Sequence, residues 1–227
     1  VNVDSSIFKA YDIRGIYPQS LDEDIAFSVG RAFVELLKVE KVIVGRDMRL
    51  SSPAIRDSLV RGLTYQGADV IDIGMVSTDQ YYYGCASLNL SGLMVTASHN
   101  PAEYSGFKMV RDMPYLLSGD SGIGDLRSIV ENEDFSEPKR LGRICERDIS
   151  TGFIDKVLSI IDVNSVSRLH VVVDTGNGMV GPILQRVFDR LPIQMTGLYL
   201  DPDGSLPNHG LDPMQPENRE ELQKRVC

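Results

Sequence analysis

Leu93-Met94-Val95-Thr96-Ala97-Ser98-His99-Asn100-Pro101, followed by Gly106-Phe107-Lys108, is the segment from which the rest of the chain is read. Leu93 to Val95 is a short apolar run of the kind that forms a buried strand. It empties into a loop carrying a hydroxyl, an imidazole, an amide and a proline. Phe107 to Val110 is a second short apolar run with a lysine just inside it. A hydroxyl at the mouth of a sheet, beside cationic and amide groups, has the parts of a nucleophilic or phosphoryl-carrying site. Such a site needs an attacking oxygen, charge to steady the developing negative oxygens, and a group to move a proton. The same residues also make an ordinary turn, because Ser and Asn side chains bond their own backbone in loops. Spacing alone leaves both readings open.

Outward from that segment, residues 1 to about 135 alternate between helical and strand patterns. Ile25, Val29, Phe33, Leu36 and Leu37 recur at helical spacing within 21–38, and Lys41 to Val44 is an apolar run closed by Gly45. Ser51 or Ser52 is placed to cap a helix with Pro53 in its first turn, running to Gly67. A strand over 69–73, a helix over 78–88 and an amphipathic helix over 120–133 complete the pattern. Strands and helices in alternation predict a sheet covered on both faces. Residues 133–148 are charged and broken by Pro138 and Gly142, which marks a domain boundary. The domains expected are residues 1–140 and 150–227. In the second, a capped helix over 150–161, a buried strand over 170–173, a helix from Gly181-Pro182 to about Arg190 and a strand over 193–200 precede a Pro- and Gly-rich loop. A helix begins near Glu217.

Composition excludes several classes. Hydrophobic residues at 42% and charged residues at 24% describe an ordinary globular chain rather than a disordered or membrane-embedded one. A net charge of -9 argues against a general nucleic-acid or anionic-membrane surface, though a local cationic pocket is compatible with it. No apolar run approaches the ~20 residues of a membrane span. Cys85, Cys145 and Cys227 are few, odd in number and far apart, and no secretory pattern opens the sequence; the expected setting is the reduced cytoplasm.

Thr96-Ala97-Ser98-His99-Asn100-Pro101 with Gly106-Phe107-Lys108 resembles the active-site serine loop of the α-D-phosphohexomutases. Phe8-Lys9-Ala10-Tyr11-Asp12-Ile13-Arg14-Gly15 is similar to the N-terminal signature of their phosphomannomutase/phosphoglucomutase branch. Gly45 to Pro53, Val173 to Gly178, Pro207-Asn208-His209 and Pro216-Glu217-Asn218 follow in the family's order, so the resemblance covers residues 8 to 218. It implies an α/β fold: a three-layer αβα domain with a mixed sheet, followed by the first part of a second αβα domain. It implies reversible phosphoryl transfer between O1 and O6 of a hexose, through a phosphoserine and a hexose 1,6-bisphosphate, with Mg²⁺. Phosphorylated hexoses are the expected partners. The family's acidic Asp-Gly-Asp-Gly-Asp-Arg metal loop has no counterpart in these residues, so the chain is expected to be an N-terminal part that does not turn over by itself.

The resemblance implies roles residue by residue. Ser98 is the phosphate carrier and, through its phosphate, a metal ligand. Lys108 supplies charge and proton transfer, where spacing alone would leave an exposed lysine at a strand start. His99 shares the acid/base role or packs the loop, and Asn100 fixes the loop backbone. Arg14 grips phosphate with its bidentate fork, with Tyr11 lining the same site, or is a surface arginine. Arg46, Asp47 and Arg49 are expected to form a structural ion-pair network. Two rival functions belong to other classes. One is a phosphosugar-binding module without catalysis. The other is a dinucleotide site, because Gly176, Gly178 and Gly181 match G-x-G-x-x-G between a strand and a helix, with Asp201 ending the next strand. The same glycine turn also serves the family's second domain as architecture. Asp201-Pro-Asp203-Gly204-Ser205 opens like a calcium loop but has Leu206 where that loop needs glycine, so it is a loop and not a metal site.

Overall fold

A computed structural model describes residues 3–226, and these form two compact units; Cys227 lies outside the described residues. The first unit comprises residues up to Asp47, Ser51–Ser98 and Glu103–Asp148. In chain order it contains β1 (Ile13–Ile16), α1 (Glu23–Leu37), β2 (Lys41–Arg46), α2 (Ser52–Tyr65), β3 (Asp69–Met75), α3 (Thr78–Leu88), β4 (Gly92–Val95), β5 (Tyr104–Asp112), β6 (Tyr115–Leu116), α4 (Ile123–Asn132) and β7 (Ile144–Glu146). The sheet runs β1-β5-β4-β2-β3-β7, with β6 on the same side of β5 as β1. β2, β3, β4 and β7 are parallel neighbours, and β5 is antiparallel to β1, β4 and β6. The sheet is therefore mixed.

The layers follow from strand alternation. Val42, Val44, Leu93, Val95, Phe107 and Met109 point into one core with Phe33 of α1, Leu59 of α2 and Leu126 of α4. The intervening residues face α3: a Cβ on Gly92 would stand 2.7 Å from Cys85 Sγ and 2.8 Å from the Tyr81 ring. Burial pushes the Cys85 thiol up to about 12, so it serves as packing and not as a nucleophile. α1 starts where the Asp22 carboxylate accepts from Ile25 N at 2.9 Å, with Glu23 and Asp24 in its first turn. α3 starts on a capping box: Gln80 N donates to Ser77 Oγ at 3.2 Å and Ser77 N to Gln80 Oε1 at 3.0 Å. At α2 the expected cap differs. Ser51 holds the N-cap position without a side-chain cap bond, its buried hydroxyl has no partner, and Ser52 Oγ donates to Asp47 Oδ1 at 2.5 Å.

Three strands lie where none was expected. Ile13–Ile16 becomes a strand because β5 offers it an edge, the short Tyr115–Leu116 also pairs with β5, and Ile144–Glu146, inside the charged stretch, pairs with β3. The helix expected over 120–133 begins at Ile123, after a 3-10 turn over Gly119–Ser121.

The second unit comprises Met48–Leu50, His99–Ala102 and residues from Ile149 onward. It contains α5 (Ser150–Leu158), β8 (Leu169–Asp174), α6 (Gly181–Phe188), β9 (Ile193–Leu198) and α7 (Glu220–Val226). β8 and β9 are parallel, and a small core of Ile154, Leu158, Ile183 and Val187 joins α5 to α6. The strand expected to be buried at 170–173 is not: His170 is exposed and Val171 to Val173 are half-buried. A two-stranded sheet has too few neighbours to cover both of its faces.

Candidate functional site

In the first unit, β4 ends at Val95 and the chain turns outward. Thr96 N donates to the Gly106 carbonyl at 3.0 Å, so one further rung of the β4–β5 ladder forms before the turn. Ser98 N then donates to Thr96 Oγ1 at 3.0 Å, a side-chain-closed turn, and Ser98 sits at φ 56° with its residue exposed. That left-handed conformation is uncommon for serine and is often found where a functional group must be presented. On the other side, Asp47 N donates to the Val95 carbonyl at 3.0 Å and brings the end of β2 beside the end of β4.

The sheet register places two cations on the same face. Arg14 pairs across to Gly106, and Lys108 pairs across to Met94. Residues 106 and 108 share a face of β5, so the Arg14 and Lys108 side chains leave the sheet on one side, in adjacent rows. Arg14 Nη2 donates to Asp12 Oδ2 at 2.5 Å, which anchors one arm of the guanidinium. Its Nε is buried and has no partner, so part of the fork remains open to an acceptor. Lys108 is half-buried, and Tyr11 is 75% exposed in the loop before β1.

His99 and Asn100 fall in the segment His99–Ala102 that packs with the second unit. His99 is exposed, and its charge is among the influences holding the Asp212 carboxyl below the usual range, after the Met214 amide and the Gln215 side chain. Asn100 anchors the loop through its main chain: its carbonyl accepts from Arg49 Nη2 at 2.6 Å, and the Pro101 carbonyl accepts from Arg49 Nη1 at 2.7 Å. Of the residues expected to form an ion-pair network, Arg46 Nη1 donates to the Asp47 carbonyl at 3.1 Å, Asp47 accepts from Ser52, and Arg49 reaches these loop carbonyls. Thr96 was not singled out from the sequence, although a threonine two residues before a turn serine was the available signal.

The glycine turn of the second unit does not have the form of a pyrophosphate cradle. Gly176 is at φ 53°, and a Cβ there would stand 3.1 Å from the imidazole of His209. Asn177 is buried, donates to the Asp201 carbonyl at 2.9 Å and accepts from Asn208 Nδ2 at 2.7 Å. The chain's own Asn208–His209 segment thus packs directly against the turn. Among the described residues no group of three or more His, Cys, Asp or Glu could hold a metal ion. The described residues do not by themselves fit a Mg²⁺ site, and no described helix is long and apolar enough to cross a membrane.

A family model, Phosphoglucomutase/phosphomannomutase, alpha/beta/alpha domain I, matches residues 5–137. A phosphomannomutase of Salmonella montevideo is 40% identical over 227 residues, covering 96% of this chain and 50% of that protein. A phosphoglucomutase of Neisseria gonorrhoeae is 35% identical, covering 97% of this chain and 48% of that protein. The chain spans about half the length of the curated relatives it matches. The crystal structure of a phosphoglucomutase/phosphomannomutase family protein from Burkholderia thailandensis superposes with a TM-score of 0.90 at 36% identity, over 99% of this chain and 50% of that one.

Proposed function

The chain belongs to the phosphoglucomutase/phosphomannomutase family, and from that premise we propose that it carries the phosphoserine part of a phosphohexomutase acting on mannose and glucose phosphates. In one direction a sugar hydroxyl oxygen attacks the phosphorus held on Ser98 Oγ. The new O–P bond forms and the Ser98 Oγ–P bond breaks; Lys108, with His99 as the second candidate, gives a proton to the departing Ser98 Oγ and takes the sugar hydroxyl proton in its place, so it remains a cation. The product is a hexose 1,6-bisphosphate. In the other direction Ser98 Oγ attacks the second phosphate of the turned-over sugar, and the isomeric monophosphate leaves. One phosphoryl group passes each way, so the protein ends as it began.

Charge and placement carry most of phosphoryl transfer, which is why two cations on one sheet face matter more than a strong base. Arg14 is assigned the sugar phosphate, with Tyr11 and Asn100 lining the approach. A phosphate on Ser98 would offer an oxygen ligand to a Mg²⁺ ion, which would neutralise part of the phosphate charge; no step of this reading runs through the metal. The observation that supports the reading best is the exposed Ser98, closed into a left-handed turn by Thr96, which lies two residues earlier and bonds to Gly106, the partner of Arg14.

The test is made in the full-length protein. Intact mass of the parent is expected to show one phosphate, and Ser98→Ala is expected to lose it and to abolish interconversion of mannose 1-phosphate and 6-phosphate, with the fold unchanged by circular dichroism. Lys108→Met is expected to lower kcat by ~10²–10⁴-fold, the usual share of an acid–base group. A folded Ser98→Ala protein that kept most of its turnover would sink the mechanism.

A further inference from the structure

Arg49 is 2% exposed, yet its guanidinium is spent on two consecutive main-chain carbonyls, Asn100 at 2.6 Å and Pro101 at 2.7 Å. These are the second and third residues after Ser98. A planar fork reaches both acceptors at once, whereas the single ammonium of lysine does not reproduce that geometry. A second observation comes from the turn Asp201–Ser205, which the function so far leaves unused. A Cβ on Gly204 would stand 2.4 Å from the Met48 carbonyl oxygen, 2.8 Å from Leu50 N and 2.9 Å from Arg49 Cα. The turn therefore lies backbone to backbone against the segment that carries Arg49, and only glycine permits that approach. The turn is itself held: Ser205 N and Oγ donate to Asp203 Oδ1 at 2.8 and 2.7 Å, and Asp203 N donates to the Asn177 carbonyl at 2.9 Å.

We propose that Arg49 is a positioning residue for the serine loop: braced from behind by Gly204, it clamps the Asn100 and Pro101 carbonyls and so fixes the path of the backbone that follows Ser98. The proposal rests on the reading of Ser98 as the phosphate carrier. Its effect is on placement, and displacements of about 1 Å can cost about 10²-fold in rate. Neither Arg49 nor Gly204 needs to touch the sugar.

The experiment compares Arg49→Lys, Arg49→Ala and Gly204→Ala in the full-length protein by hydrogen exchange and steady-state kinetics. Amide exchange in 98–102 is expected to rise about tenfold or more in all three, while exchange in β2 and α1 stays as in the parent. The value of kcat is expected to fall by roughly 10–100-fold with KM within about threefold, because Arg14, which is assigned the sugar phosphate, is left untouched. Added guanidinium is expected to restore kcat to Arg49→Ala and not to Gly204→Ala. Unchanged loop exchange, or a loss of kcat that tracks melting temperature across the variants without guanidinium rescue, would overturn the proposal. Exchange does not depend on the chemistry at Ser98. If Ser98→Ala retained turnover the phosphoserine reading would fall, and loop exchange would still decide whether the brace exists.

Discussion

The two units draw on similar sequence patterns and end with very different interiors. In the first, seven strands lie under α1, α2 and α4 on one face and α3 on the other, and residues such as Phe33, Leu59, Leu93 and Phe107 are wholly buried. In the second, two short helices share a core of four buried residues, each with some residual exposure, and the valines of β8 stay half-open. An apolar run thus predicts a strand in both places, but how deeply it is buried depends on how many neighbours the topology supplies. The first unit can carry strain at its loop. The second has little to lose before it opens.

The largest test of that contrast is truncation of the two cores. Phe33→Ala is expected to cost about 3–5 kcal/mol, and Ile183→Ala about 2 kcal/mol, the low end for a large-to-small change. Urea unfolding, followed by probes in each unit, checks the difference. Equal losses would mean the second core is as tightly packed as the first. A smaller effect sharpens the idea that the first unit carries strain at its loop. Ser98→Gly removes the penalty of a left-handed serine and is expected to raise stability by up to about 1 kcal/mol while abolishing phosphate uptake. A loss of stability of that size instead would show that the serine side chain itself holds the turn.

The smallest effect belongs to the second unit and depends on pH. Both ring nitrogens of His209 face acceptors: Nδ1 lies 2.8 Å from the Gly210 carbonyl and Nε2 lies 3.1 Å from Asp174 Oδ1. Burial works against the imidazolium, but the Gly210 carbonyl and the Asp174 carboxylate, with Glu221 behind them, outweigh it and raise the pKa above its ordinary value of 6.5. The folded value lies above the unfolded one, so the stabilisation is complete below pH 6.5 and fades as pH rises through the folded value. An NMR titration of His209, alongside melting of the second unit between pH 6 and pH 8.5, is expected to show this loss. Asp174→Asn should remove most of it, and a melting temperature independent of pH in the parent would discard the ion pair.

What the sequence made legible follows the same division between local and borrowed structure. The helix Thr78–Leu88 is readable to the residue because its capping box is written locally in Ser77 and Gln80. β1 and β7 are not, because Ile13-Arg14-Gly15-Ile16 and Ile144-Cys145-Glu146 are strands only by virtue of the edges of β5 and β3. The candidate site divides likewise. Ser98, Lys108 and Arg14 stand out through motif and chemistry, and the register brings the two cations to one face. The carbonyl clamp of Arg49 is invisible in sequence, because carbonyl acceptors carry no residue identity and the donor lies about fifty positions away.

The approach of Gly204 to the backbone around Arg49 has a consequence in time. The backbone that Gly204 braces is synthesised about 155 residues before Gly204 itself, so at ~5–20 residues per second a nascent chain waits roughly ten to thirty seconds for its brace. During that interval the sheet of the first unit can already form, since all of its strands precede Asp148. Until then the Met48–Leu50 segment lacks its contact with Gly204. A ribosome-stalled chain ending before residue 200 is the state in which the serine loop would be found folded onto β4 at its base and unclamped at Asn100 and Pro101.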